Sequence, residues 1–518
     1  MCSTKRDILS FFSFDASPTT VINRESFLVI CEVIRLGKHH CFNVPHTKYK
    51  LLMKSSYKEL EAQCSSPSEN MLSYKLRSYS YKVKIWLTSC KTLAAMMIAL
   101  LLLGLVSRSL GDFSLSNMYS FREKPTVSYP MASLQHGIMF DAGSTGSRIH
   151  VFSFRKLPDG TLSLANEVFK QVKPGLSAFA NNPKKGAKTI YDLLQKAKDV
   201  IPVHQWHATP VALKATAGLR LLPVKSAKHL LHEVYEVFSA SPFNIPAHQP
   251  HCVSIMDGLD EGIFAWVTVN FLTGGFHKSV NSLMGALDLG GGSTQVTFHP
   301  LIKATVSQAP KGFIQSVGVF GSKYILYSHS YLGLGLMSAR GAIMAQGNYM
   351  LDSQGENVSH TPCLPVNQEG TWSFGGQTHK VRGHSSYSFE LCLNHAKNLV
   401  QKVNKNDEMN QRTFYTFSYY YDRAVELGLI DEKNGGIISV EDYVKKTKEV
   451  CSSTELRSNP LLCMDATYII ALLMDGYGFK QDRQLILRKK IDGVELSWAL
   501  GATLDMFDQR NKKTTKSA

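Results

Sequence analysis

Nowhere in the chain do two cysteines stand as C-x-x-C or two histidines as H-E-x-x-H, which argues against a structural or catalytic zinc site. No Ser-His-Asp or Cys-His phrase marks a covalent nucleophile either. Dense basic runs and interleaved aromatic stripes are also missing. The formal charge is +16, but residues 1–91 hold 14 Lys and Arg against 7 Asp and Glu, and the tail from Arg510 adds four more cations. The residues between keep only about +5 of that total, too dispersed for a nucleic-acid surface, so no nucleic-acid partner is expected.

What the chain does carry is length and one strong topological signal. At 518 residues and 44% hydrophobic it can bury a substantial core and is too long for one typical domain. The run "TLAAMMIALLLLGLV", residues 92–106, follows Lys82, Lys84 and Lys91. Its length suits a signal-peptide core, or a signal anchor (92–107) if counted back through "IWLTSC" with Lys91 snorkelling. Either way the following chain is expected to enter the secretory pathway, anchored in the membrane or secreted. A retained segment would leave residues 1–82 in the cytoplasm. Met96 and Met97 are alternative starts, which would make residues 1–95 an artefact or an alternative leader. Beyond Cys90, spacing makes Cys363–Cys392 and Cys451–Cys463 the expected disulfides in an oxidising compartment and leaves Cys252 a buried thiol. Asn357 opens an N-V-S sequon and is the expected glycosylation site. The protein is expected to be a monomer.

From His136 onward strands alternate with helices, an α/β pattern. The spacing divides the chain into an extension without assigned structure (1–91), a linker (108–135), an N-terminal lobe (136–282) and a C-terminal lobe (283–480). The second lobe carries a loop-rich insertion at 301–412. A return segment (481–509) is expected to pack on the first lobe before a basic tail (510–518). Both lobes open on one phrase: "MFDAGSTGSRIHVF", residues 139–152, and "LDLGGGSTQVTF", residues 287–298, place Asp141 and Asp288 at equivalent points. Two such openings imply duplication of a lobe.

The repeated phrase has a chemistry. A turn of Gly, Ser and Thr after a strand lets backbone N–H groups converge, and such a nest binds phosphate oxygens. Gly143, Ser144, Thr145, Gly146, Ser147 and the cation of Arg148 form one such set; Gly290, Gly291, Gly292, Ser293, Thr294 and Gln295 form the other. A lone glycine turn is most simply a hairpin, but hairpin chemistry does not call for an Asp at both strand ends, because two unpartnered carboxylates would be costly there. Asp141 and Asp288 are poor partners for bare phosphate and good partners for hydrated Ca²⁺ or Mg²⁺. Facing each other, the two loops would clamp a polyphosphate and its metal. Tyr419, Tyr420 and Tyr421 in "FSYYYD" offer aromatic faces for a nucleobase, or are strand-core residues.

The phrases "FDAGSTGSR", "ATAGLRLL", "DGLDEGIFAWVTVNFL", "LDLGGGSTQ" and "MDATYIIALLMDGYGF" resemble, in order and spacing, the five conserved regions of the ectonucleoside triphosphate diphosphohydrolase (apyrase) family. "KPGLSAF", "YLGLGLMSAR" and "ELSWALGAT" resemble its nucleoside diphosphatase branch in the endoplasmic reticulum and Golgi lumen, the endoplasmic-reticulum UDPase type. The resemblance covers roughly residues 136–508. It implies a two-lobed actin/Hsp70/sugar-kinase-like (RNase H-like) fold with the active site in the interlobe cleft, and Ca²⁺- or Mg²⁺-supported hydrolysis of a nucleoside diphosphate such as UDP, GDP or IDP. By the same resemblance Asp141 and Asp288 hold the metal through water, Thr216 completes the phosphate site and Glu261 is the catalytic base. Asp465 and Tyr468, in the fifth region, border the base pocket on this reading, while Trp498 is read as lobe packing. From the residues alone, an acid at the start of a helix is equally explained by capping or the helix dipole. The rival readings are an ATP-dependent phosphotransferase and an inactive lumenal nucleotide-binding module.

Overall fold

Each glycine phrase folds as a hairpin at the centre of its own sheet. A computed structural model describes residues 134–158, 161–245, 252–351, 357–366, 368–453 and 459–516. The chain divides into two units, Met1–Pro125 and Thr126–Ala518, and every described residue belongs to the second. The expected extension 1–91 and apolar segment 92–107 lie outside the described residues. Among the described residues no helix is long and apolar enough to cross a membrane.

Strand β1 (Gln135–Ala142) is buried along all but its first residue, the pattern of a central strand covered on both faces. It pairs antiparallel with β2 (Ser147–Lys156) and parallel with β4 (Val211–Ala215). With β3 (Leu162–Val172) and β5 (Val253–Ile255) the order is β3-β2-β1-β4-β5. One face of this sheet is covered by helices α1 (Pro183–Lys198) and α2 (Val224–Ser239). Ile190, Leu193, Leu194, Leu230, Val234 and Phe238, at helical spacing, close over Ile138, Phe140, Val151 and Leu213. The other face carries Met139, Phe152 and Phe154, which join a core with Trp266 of α3 (Gly258–Leu272) and Phe507 of the last helix, Ala499–Lys516. That last helix presses on β1 so closely that a Cβ on Gly137 would stand 2.9 Å from Thr503.

The second lobe repeats the plan. Its strands β6 (Gly285–Leu289), β7 (Ser293–Phe298), β8 (Ile314–Val319) and β9 (Ser322–Leu332) run on to α4 (Leu336–Met344). A separate four-stranded sheet follows, made of β10 (Asn348–Leu351), β11 (Asn357–Thr361), β12 (Glu369–Phe374) and β13 (Gln377–Gly383). After α5 (Phe389–Val400) the chain returns to the main sheet as β14 (Phe414–Ser418), passes through α6 (Tyr419–Glu426), and adds β15 (Gly436–Ser439). Helices α7 (Val440–Ser452) and α8 (Leu462–Ala471) precede β16 (Gln484–Leu487). The order β15-β16-β14-β6-β7-β9-β8 leaves β6 central, as β1 is in the first lobe.

The stretch 301–412 is therefore less loop-rich than its polar sequence suggests. β8 and β9 extend the main sheet, and "SKYILYSHSYL" reads as irregular only because polar residues sit on both faces of a strand that is half covered. Both expected disulfides are formed, Cys363–Cys392 and Cys451–Cys463, and Cys252 is a buried free thiol. Asn357 is exposed at the start of β11.

Candidate active site

In each central strand an aspartate stands just before the turn. Asp141 pairs across the first hairpin with Arg148, and Asp288 across the second with Gln295. The turns close in the same way, Gly143 N–H donating to the Gly146 carbonyl and Gly290 N–H to that of Ser293, both at 3.0 Å. The hairpins meet tip to tip: a Cβ on Gly291 would fall 2.3 Å from Ser144 Oγ, and one on Gly218 would fall 2.7 Å from Ser144 Cα. Only glycine allows this approach.

Between them lies a cavity of about 750 Å³ whose wall includes Asp141, Glu261 and Asp288 together with Gly143, Ser144, Thr145, Arg148, Thr216, Gly290 and Gly291. Thr216 stands at the N-terminus of the one-turn helix Ala217–Arg220, reached from β4, which runs parallel to β1. Glu261 sits in the first turn of α3, whose end is capped by Asp257 accepting from Leu259 N–H at 2.8 Å. Asp257 thus does the capping, and Glu261 is free to turn inward, where it is 7% exposed and ion-paired to Arg220.

The three acids share one electrostatic environment. Burial pushes Glu261 up to about 8; the Arg220 guanidinium opposes the shift, and Asp288 and Asp141 add to it. Burial also pushes Asp288 up to about 6, against a hydrogen bond with Ser418 and with the Asp141 charge adding to it. Asp141 Oδ2 accepts from Arg148 at 2.7 Å. Its Oδ1, and the Oδ1 of Asp288, are buried with no hydrogen-bond partner.

Residues 130–517 match the GDA1/CD39 (nucleoside phosphatase) family. The human protein named nucleoside diphosphate phosphatase ENTPD5 is 50% identical over 385 residues, covering 73% of this chain and 88% of that protein. The mouse ectonucleoside triphosphate diphosphohydrolase 6 is 47% identical over 382 residues, covering 73% and 83%. The chain belongs to the GDA1/CD39 family. Among solved structures, a nucleoside triphosphate hydrolase from Neospora caninum superposes with a TM-score of 0.51 at 16% identity, over 72% of this chain and 93% of that one. That likeness is one of fold, the two-lobed actin-like α/β architecture.

Not every residue singled out in this GDA1/CD39 chain faces the cleft. Tyr420 and Asp465 do not border the cavity, contrary to expectation. "FSYYYD" turns from strand to helix at Ser418, so Tyr420 points into the core at 1% exposure while Tyr419 and Tyr421 face the cavity. Asp465 is fully buried behind the wall, accepting from Arg340 Nε at 2.7 Å and Arg423 Nη1 at 2.9 Å. Tyr468 is also internal, its hydroxyl donating to the Leu334 carbonyl at 2.6 Å, whereas Trp498 both packs the core and lines the cavity.

Among the loop residues, Gly146, Ser147, Gly292, Ser293, Thr294 and Gln295 stand behind the wall. Thr294 Oγ1 donates to the Asp288 carbonyl at 2.8 Å, and the Gln295 amide nitrogen donates to Ser293 and Ser330 at 2.7 and 3.0 Å. Strand alternation turns these side chains to brace the hairpin.

Sequence reasoning missed four residues. Arg220 lies inside the quoted "ATAGLRLL", Arg340 ends "YLGLGLMSAR", and Arg423 follows "FSYYYD"; a lone arginine carries no local signal until the fold brings its carboxylate. Ser418, beside Asp288, holds a left-handed φ of 58° that no motif announces, a strained conformation of the kind that gathers at functional sites.

Proposed function

We infer that the chain hydrolyses the terminal phosphate of nucleoside diphosphates, UDP, GDP and IDP among them, to the monophosphate and inorganic phosphate. The observation that carries this is the convergence of Asp141, Glu261 and Asp288 on one cavity where two glycine hairpins meet. Backbone N–H groups of Ser144, Thr145 and Gly291, with the side chains of Ser144, Thr145, Thr216 and Arg148, suit the phosphates. Tyr419 bears Arg423 over its ring at 5.5 Å, and with Arg340 it suits the nucleoside end.

The free Oδ1 atoms of Asp141 and Asp288 are two buried acceptors without partners. Among the described residues no group of three or more His, Cys, Asp or Glu converges as direct ligands. This set suits a hard cation held through its water, Ca²⁺ or Mg²⁺. Such a cation supplies charge to the phosphate oxygens when bound. The chain's own groups do the rest. Glu261, held by Arg220, orients a water in line with the terminal phosphorus and takes its proton. The water oxygen bonds to phosphorus as the bridging oxygen leaves on the nucleoside monophosphate, and the loop amides stabilise the spreading negative charge.

The lumen of the secretory pathway is the proposed location, supported by the apolar run 92–106 and two disulfides. A phosphate-release assay over UDP, GDP, ADP and their triphosphates, with Ca²⁺, Mg²⁺ or chelator and no acceptor, tests the function. Release from diphosphates that stops with chelator supports it. Phosphate transfer only to an added acceptor indicates a phosphotransferase, and nucleotide binding without release an inactive module.

The Arg220 pair gives a pH prediction. Glu261 must be ionised to act, so kcat/KM rises with pH through its pKa, and the guanidinium holds that pKa down. Arg220→Ala is expected to move the acid limb of the kcat/KM profile to higher pH while leaving the plateau reachable. A limb that stays in place in the folded variant removes Arg220 from this role.

A further inference from the structure

Resting on the cation reading of Asp141 and Asp288, we propose that His150, which lines the same cavity, is a third positioning residue for the cation's water shell. The sheet register sets up the placement. Asp141 pairs with Arg148 and Met139 with His150, so Asp141, Arg148 and His150 project from the same face of the sheet. His150 lies one row down β2 and, beside Phe169, lines the same cavity as Asp141 and Asp288.

His150 is fully buried, yet its Nε2 has no hydrogen-bond partner. Its other ring nitrogen is tightly held: Nδ1 lies 2.6 Å from Glu167 Oε1, and Glu167 Oε2 accepts from Glu495 N–H at 2.7 Å. Phe152 stacks on the ring at 5.6 Å and Phe169 tilts against it at 5.1 Å. A buried polar atom left unpaired in an otherwise satisfied network calls for a ligand. An imidazole that donates Nδ1–H to a carboxylate, with Nε2 left to accept, is the arrangement that fixes tautomer and ring orientation at cation sites.

Distance allows it. A cation–oxygen length of about 2.1–2.5 Å plus a water hydrogen bond of about 2.8 Å puts an outer acceptor roughly 5 Å from the ion. Two such acceptors can stand as much as about 10 Å apart, which spans the roughly 7 Å between successive rows on one sheet face. A direct bond to the cation is not required.

The test measures cation binding apart from turnover. Chelator-stripped protein is titrated with Ca²⁺, and the rise in melting temperature is followed without nucleotide. The expected result is a half-saturating Ca²⁺ concentration about 10-fold higher for His150→Ala than for wild type, partly recovered by His150→Gln, which restores an acceptor near Nε2. KM for UDP at saturating Ca²⁺ stays near wild type. If His150→Ala does not fold, the pair His150→Phe with Glu167→Gln keeps the ring stack and carries the same comparison. Equal half-saturating concentrations in wild type and a folded variant overturn the proposal and indicate that Nε2 meets only a trapped water. A wild-type protein with no cation response in melting or in phosphate release overturns the cation reading itself, and the His150 assignment with it.

Discussion

Glu261→Gln is expected to lower phosphate release from UDP by roughly 10²- to 10⁴-fold, the span for loss of a general base, with KM little changed. The amide keeps the shape of the carboxylate and can still accept from Arg220, so the cavity should persist while the proton acceptor is gone. Stability should move the other way, and the sign follows from linkage. Burial raises the Glu261 pKa from an ordinary 4.5 to about 8 in the folded chain. A raised carboxyl pKa contributes stability that is fully present below 4.5 and is lost as pH climbs towards 8. The glutamine variant has no such proton to lose. Its melting temperature should therefore gain on that of the wild type as pH rises from about 5 to about 8. Near wild-type turnover in the purified, folded variant would falsify the assignment of Glu261 as base. A melting difference that shrinks with pH would mean that the Arg220 pairing outweighs burial.

Much of this was legible in the sequence because the signals were local. A hairpin with Asp before a glycine turn is written in about ten residues, and its repetition pointed to two lobes, whose hairpins meet at one cavity. The disulfides were legible for the same reason, with partners 29 and 12 positions apart. What stayed hidden depends on long-range closure. Arg220 and Glu261 are 41 positions apart, Arg340 and Asp465 are 125 apart, and no spacing rule links either pair. The error over Asp465 has the same origin. A carboxylate in a motif helix reads as a wall residue until the fold shows two arginines between it and the cleft. Tyr420 was ambiguous because a strand and a helix direct successive tyrosines differently, and the change falls at Ser418, one residue before the run.

The buried carboxylate of Asp465 is expected to matter more for the integrity of the nucleoside end than any residue that touches it. Arg340 and Arg423 side chains are only 7% and 10% exposed, and both donate to the fully buried Asp465. Removing Asp465 leaves the buried Arg340 without its carboxylate, while Arg423 keeps Glu426 at 2.9 Å; breaking a buried pair typically costs about 3–5 kcal/mol, whereas replacing the whole set by apolar residues can be neutral. Asp465→Ala should therefore destabilise the chain by about that much in urea unfolding. Asp465→Asn should cost less, since one amide oxygen still accepts from a guanidinium while the NH₂ confronts the other. Function separates this role from simple packing. With both guanidiniums loosened, KM for UDP should rise in Asp465→Asn while kcat at saturation changes little, because Asp141, Glu261 and Asp288 stand on β1, α3 and β6 and do not touch the cluster. Stability within about 1 kcal/mol of wild type in Asp465→Ala would contradict the energetic argument. A fall in kcat with KM unchanged would show that the arginines act on the reacting phosphate instead.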